Sequence, residues 1–255
     1  MRGPGAFLEE LTWPEAAARF REGRVVLVPI GALAKEHGHH LPLNTDWLVA
    51  RALAARVAAQ LPVVVAPVIG FGYYPAFVEY PGSQHLKADT FIALVRELLD
   101  TLIDHGVTRI AVLNGGVSTE APLAIALRDV LERRQVRVAA AHIRELGRKA
   151  HALMQQRLGG HADEAETSLM LAIRPEAVRL HLAAEDYGGE LEEPATVFRR
   201  PVTFSGRRDR GIDFSRTGAR GDPSLATAAK GEALLAEITY ELIDGIKRLW
   251  PEALD

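Results

Sequence analysis

The chain contains no cysteine, which excludes a disulfide scaffold, a thiolate zinc site, an iron–sulfur cluster and a cysteine nucleophile together. Any metal has to be held by His, Asp or Glu. An excess of basic charge is missing too: 30 Lys and Arg stand against 33 Asp and Glu, giving a net charge of -3. Without a basic field there is little to hold a phosphate backbone, so nucleic acid is not expected as a partner. No segment approaches the length of uninterrupted apolar sequence that a membrane-spanning helix needs. The opening residues, MRGPGAFLEELTW, carry the acidic pair Glu9 and Glu10 in place of a signal peptide's apolar stretch. The expectation is a soluble cytoplasmic protein with no membrane partner.

What remains is ample for a globular core. Of 255 residues, 48% are hydrophobic and 25% charged, a balance that suits one large domain over residues 1–255. Short β-branched runs at Arg24 to Pro29, Val63 to Val68, Thr108 to Leu113 and Val136 to Ile143 read as buried parallel strands. Between them, Asp46 to Gln60, Ala88 to His105 and Thr119 to Arg134 have helical spacing. In the second of these, Phe91, Leu94, Val95, Leu98, Leu99, Leu102 and Ile103 form one apolar stripe that Gly106 ends. Further helices are expected over Asp163 to Ile173 and Pro223 to Trp250, with an extended arm or subunit contact over about 186–220. Strand alternating with helix predicts a three-layer α/β/α fold with a mostly parallel central sheet. Its site then belongs beyond the carboxyl ends of the strands.

The loops at those ends hold the polar residues of interest. GALAKEHGHHLPLNTD gathers Glu36, His37, His39, His40 and Asp46, an N/O donor set that suits Zn, Mn or Fe(II). A solvated His-rich loop, with Asp46 capping the next helix, explains the same residues without a metal. In GGHADEAETSLML, His161 and Glu166 could form a proton shuttle and its partner. Asp163 and Glu166 also have the spacing of a capping box, and spacing alone favours that role. The turn Asn114 to Thr119 could present backbone N–H groups to an anion, but it matches no phosphate-loop pattern. His85 lies in the strand-end loop YPGSQHL, while Tyr73 and Tyr74 are candidates for a pocket wall.

Taken in order, these segments resemble the creatininase (creatinine amidohydrolase) family. PIGALAKEHGHHLPLNTD is similar to that family's first metal motif, LNGG stands where it has an NGHGGN-type loop, and HADEAETSLML matches its ETS segment. YPGSQHL and TGARGDPSLATAAKGEALL match its PGT and GDPS segments, so the likeness runs from about Leu11 to Leu242. The resemblance implies the three-layer fold, a homo-oligomer that is often a hexamer, and a divalent metal centre acting on a small-molecule amide. Carried over by position, His37 and Asp46 are expected metal ligands, and Glu36, adjacent to the family's first ligand position, is expected to complete the set. His161 is the expected proton donor to the leaving nitrogen, and Glu166 its catalytic carboxylate.

Two departures qualify that expectation. The family's first ligand Glu falls at Lys35, with Glu36 adjacent after an apparent one-residue insertion, and a bulge is needed to return its carboxylate. Gly116 replaces the imidazole of the NGHGGN-type loop, and Ser118 stands where creatininase has a Glu. One ion per subunit is therefore expected in preference to two, with Glu120, His39 and His85 as possible replacement ligands. The reading is a metal-dependent amidohydrolase cleaving a small cyclic amide or formamide, and its rival is a non-catalytic binding or structural oligomer.

Overall fold

The structure, a computed structural model, describes residues 3–188, 197 and 215–253. In chain order its main elements are β1 (Ala6–Phe7), α1 (Trp13–Arg21), β2 (Val26–Ile30), α2 (Thr45–Ala58), β3 (Val64–Val65) and α3 (Ala88–Asp104). They are followed by β4 (Ile110–Asn114), α4 (Glu120–Arg134), β5 (Ala139–His142), α5 (Arg148–His151), α6 (Glu164–Ile173) and α7 (Ala228–Leu249). Among the described residues the five strands form one sheet in the order β1-β3-β2-β4-β5, and every pairing is parallel.

Side-chain alternation along the central strand divides the core. Val25 and Leu27 face a cluster with Val49, Leu53 and Val57 of α2, Leu169 and Met170 of α6, and Leu234, Leu235 and Ile238 of α7. Val26, Val28 and Ile30 face the other way, onto Phe91, Val95 and Leu99 of α3 and Leu123, Ala126 and Val130 of α4. Period-two alternation between two helical layers is what a strand buried on both faces requires. The three-layer α/β/α architecture is therefore the observed one.

Pro29 lies inside this central strand, where a missing N–H ordinarily breaks a ladder. The Pro29 carbonyl accepts from Ile69 N at 2.9 Å, which places its hydrogen-bonding edge on the β3 side. Because β3 ends at Val65, the lost donor falls where regular pairing has already stopped.

The two halves of the α2/α6/α7 layer interlock through Gly231 of α7. A β-carbon there would run into the backbone carbonyl of Ser168 in α6, so close helix approach demands glycine at this position. Beside it, Lys230 bonds the fully buried Glu164 carboxylate, which also accepts the N–H groups of Gln155 at 2.8 Å and Gln156 at 2.7 Å.

Several elements differ from the sequence expectation. β3 is two residues long, bounded by Pro62 and Pro67. The expected Pro223 to Trp250 helix is split into a 3₁₀ turn at Pro223–Leu225 and α7, which Thr227 caps by accepting Lys230 N at 3.2 Å. β1, α1 and α5 were not anticipated. Of the expected arm over 186–220, only Asp186 to Gly188, Val197 and Ser215 to Arg220 lie within the described residues. There Asp186 Oδ2 accepts the hydroxyls of Ser215 and Thr217, each at 2.8 Å.

β2 pairs with β3 on one side and with β4 on the other, so the crossover direction reverses between β2 and β4. Crevices form at such a switch point, beyond the carboxyl ends of the strands.

Candidate metal centre

The loop leaving β2 is pinned before it reaches its polar residues. Ala34 O accepts Gln84 N at 2.9 Å, Lys35 N donates to Leu43 O at 3.0 Å, and Glu36 N donates to Ser83 Oγ at 3.0 Å. The YPGSQHL segment thus acts as a clamp on this loop. Left-handed Gly38, at φ 71°, then reverses the chain. Lys35, Glu36, His37 and His40 are all buried.

His37 sets the first reference point. Its Nδ1 donates to Lys35 O at 2.8 Å, which fixes the ring and turns Nε2 toward the cluster, as backbone carbonyls commonly do for metal-binding imidazoles. Nε2 is 2.7 Å from Asp46 Oδ1, at the start of α2. The other Asp46 oxygen, Oδ2, is 2.6 Å from Lys35 Nζ. Burial alone would raise the Asp46 pKa, but the Lys35 ammonium and His37 outweigh it and hold the carboxyl well below the usual range. Burial would likewise lower Lys35, and Asp46 and Glu166 reverse that shift and raise it.

His161 arrives from the loop before α6 and is tied to Arg220 by a two-bond antiparallel bridge, with Arg220 N donating to His161 O at 2.7 Å. Its Nε2 lies 2.8 Å from Glu36 O and 3.1 Å from Glu36 Oε2. Against the opposing effect of burial, His161 keeps the Glu36 carboxyl below its ordinary range. Glu36 also accepts the Gly38 N–H. Gly218 makes room for this carboxylate: it sits at φ 84°, and a β-carbon there would collide with it. That assigns a physical role to the first glycine of the TGARGDPS segment.

In the ETS segment Asp163 caps the helix, and Glu166 lies near both the Ala162 backbone and the His161 ring. Asp163 Oδ1 caps α6 by accepting Glu166 N at 3.0 Å, while Glu166 Oε2 accepts Ala162 N at 2.6 Å. The same Glu166 oxygen is 3.7 Å from His161 Nδ1. Ala162, at φ 46°, holds the left-handed conformation that links the histidine to the cap, a costly geometry for a non-glycine residue. Burial pushes Glu166 up to about 7, with Asp46 and Asp163 adding to the rise and His161 and Lys35 opposing it.

Three donors converge: one atom each from His37, His161 and Glu166, all within 4.8 Å of one another. A tetrahedral ion with ligands at about 2.0–2.2 Å would hold its donors about 3.4 Å apart, so binding would draw the three inward. This trio differs from the expected set of Glu36, His37 and Asp46. Asp46 is engaged by His37 and Lys35, and Glu36 is turned onto His161 and Gly38. His161 and Glu166, expected as catalytic groups, stand among the donors.

The three possible replacement ligands stay apart from this cluster. Glu120 pairs with Arg144 at 2.6 Å, His39 and His85 are exposed, and the His85 ring packs 6.1 Å from that of Tyr74. His40 instead bonds Thr167 Oγ1 at 2.8 Å and is driven down to about 4, chiefly by burial. Gly116 accepts Thr119 Oγ1 and Asn114 Nδ2 on its carbonyl, each at 2.7 Å.

The cluster opens into a cavity of about 430 Å³ lined by Lys35, Asp46, Tyr73, Tyr74, Phe77, the Gly115 to Thr119 turn, His161 and Glu166. Both expected tyrosines are on its wall, although the Tyr74 hydroxyl is committed to the Gln84 carbonyl. Phe77 was not anticipated. Its ring is 4.4 Å from that of His161 and 5.0 Å from Lys35 Nζ, and nothing in its local sequence marks it.

Comparison with known proteins identifies the family. The family model for creatininase, described as creatinine amidohydrolase, matches residues 9–246. Creatinine amidohydrolase of Pseudomonas putida is 29% identical, over 96% of this chain and 97% of that protein. The mycofactocin precursor peptide peptidase of Mycolicibacterium smegmatis is 32% identical, over 89% of this chain and 86% of its own length. A tryptophan-to-alanine mutant of creatininase superposes with a TM-score of 0.79 and 26% identity, covering 97% of this chain and 99% of that one, and related structures include a manganese creatininase and a Zn-Zn type. A family match over nearly the whole chain, joined to the same fold, makes this protein a member of the creatininase family.

Proposed function

We propose that this protein is a metal-dependent amidohydrolase that cleaves the C–N bond of a small amide in the switch-point cavity, using one divalent ion held by His37, His161 and Glu166. The observation that carries the reading is the convergence of those three donors, two of which, His161 and Glu166, line the cavity while His37 lies buried behind them. Two imidazoles and a carboxylate form a donor set suited to Zn, Mn or Fe(II). An ion held there supplies a Lewis acid for the scissile carbonyl and lowers the pKa of bound water.

The chain's own residues do the positioning. Glu36 orients the His161 ring through Nε2, the Lys35 carbonyl orients His37 through Nδ1, and such outer partners fix ligand direction. The Gly115 to Thr119 turn at the start of α4 lines the same cavity, where backbone N–H groups and the helix dipole suit a developing oxyanion. Tyr73, Tyr74 and Phe77 supply apolar walls for a compact substrate.

The test is to strip the protein with chelator, reload it with Mn or Zn, and assay creatinine, other small cyclic amides, formamides and short peptides for release of the C–N cleavage product. Hydrolysis of one of these classes that disappears on stripping and returns on reloading is the expected result. Protein that binds the metal yet hydrolyses none of them would instead be a binding or structural member of the family.

A further inference from the structure

The metal centre contains a buried cation of its own. Lys35 and Asp46 are each about nine-tenths buried or more, and their charged atoms meet at 2.6 Å. An ammonium withdrawn from water is expensive unless a charge and hydrogen bonds compensate it, and here the compensating carboxylate is the one that also binds His37. Asp46 therefore has one oxygen on an imidazole and the other on an ammonium. The Lys35 Nζ lies over the Phe77 ring, 5.0 Å from its centroid, and the same ring packs 4.4 Å from that of His161. Lysine, imidazole and carboxylate are thus packed as one cluster against one wall of the cavity.

We propose that the Lys35 ammonium occupies the place of a second cation in this centre. It claims the Asp46 carboxylate, limits the chain to one metal ion at His37, His161 and Glu166, and weakens that ion's binding through its own positive charge. The contrast is with a Zn-Zn type creatininase, in which two metal ions are present. The ammonium belongs to the chain, so chelation cannot remove it from the cavity wall. The single-ion part of the proposal rests on the metal-dependent reading above, whereas the claim on Asp46 stands on the Lys35 geometry alone.

The experiment measures Mn and Zn stoichiometry and dissociation constants by elemental analysis and calorimetry for the wild type, Lys35→Gln and Lys35→Met. Glutamine keeps a hydrogen-bond donor for Asp46, and methionine keeps an apolar stem against Phe77, so either one that retains a cooperative melt is sufficient. The expected results are at most one ion in the wild type, with a second ion or at least tenfold tighter binding in the variants. Two ions in the wild type overturn the proposal without any variant. So does a folded variant whose stoichiometry is unchanged and whose affinity is weaker or within threefold of the wild type. No metal in the wild type but one ion in a Lys35 variant would remove the metal-dependent reading and leave the role of Lys35 standing. One ion in both, equally tight, would do the reverse.

Discussion

His161 can serve as a ligand or as a proton donor, and the two roles respond oppositely to truncation. As a ligand it shares an ion with His37 and Glu166, so His161→Ala should empty the site, as read by elemental analysis. Retention of a full ion together with a rate about 10² to 10⁴ lower would assign it to general acid catalysis instead. Glu166 adds a pH signature. With its pKa pushed up to about 7, it must release a proton to bind metal at lower pH. Apparent affinity should hold above pH 7 and weaken by about tenfold per unit below it, and calorimetry between pH 5.5 and 8 that shows no slope would contradict this. His40 makes a prediction about stability. Buried and lowered to about 4 from 6.5, it favours the folded state while neutral, and that contribution is lost as pH falls from 6.5 toward 4. The total is about 3 kcal/mol. The raised Glu166 acts with the opposite sign in metal-free protein, because its folded form keeps a proton that the unfolded form has released. The informative measurement is therefore the difference in denaturation midpoint between wild type and His40→Gln, which should shrink between pH 7 and 5.

At the scale of elements, the loops that deliver the donors are held by helix ends and by two glycines. Asp163 caps α6 while its second oxygen accepts Gln156 Nε2 at 2.8 Å and Gly160 N at 3.1 Å. Asp163→Ala should cost about 1 to 2 kcal/mol from the lost cap and weaken metal binding in addition, since the same turn aims His161. Gly231 tests helix packing with no link to the donors. Gly231→Ala drives a methyl into the Ser168 carbonyl, and forcing α6 from α7 should cost about 3 kcal/mol. A thermal melt within 2 °C of wild type, set against an expected fall of about 2 to 4 °C per kcal/mol, would show that the helices can separate freely.

For the whole molecule, ligand binding and folding are linked. Metal at about 100 times its dissociation constant should add about 2.7 kcal/mol to stability and raise the melting temperature by several degrees. The rise should require intact donors from two separated segments, the loop after β2 and the stretch from the loop before α6 into its first turn. A melting temperature unmoved by Zn, Mn or Fe(II) after stripping would mean that the centre does not hold an ion in the folded state.

The sequence alone determined the layers, because a strand buried on both faces and a helix with one apolar stripe each write their period into consecutive residues. β2, α3, α4 and the location of the site at the strand ends followed from that periodicity and from the switch-point rule. α1 was not anticipated, although Thr12 and Glu15 form a capping box at its start with Pro14 beside it, because it is short and its one strong signal lies at one end. Which side chains meet was a different matter. Glu36 and His161 are 125 residues apart, Lys35 could have pointed to solvent as lysines usually do, and Phe77 carries no local mark. A donor set depends on the direction in which each side chain leaves its backbone, and that direction is fixed by packing against distant segments. Only the tertiary structure could turn Asp46 toward Lys35, place Glu36 behind His161, and bring His37, His161 and Glu166 to a common point.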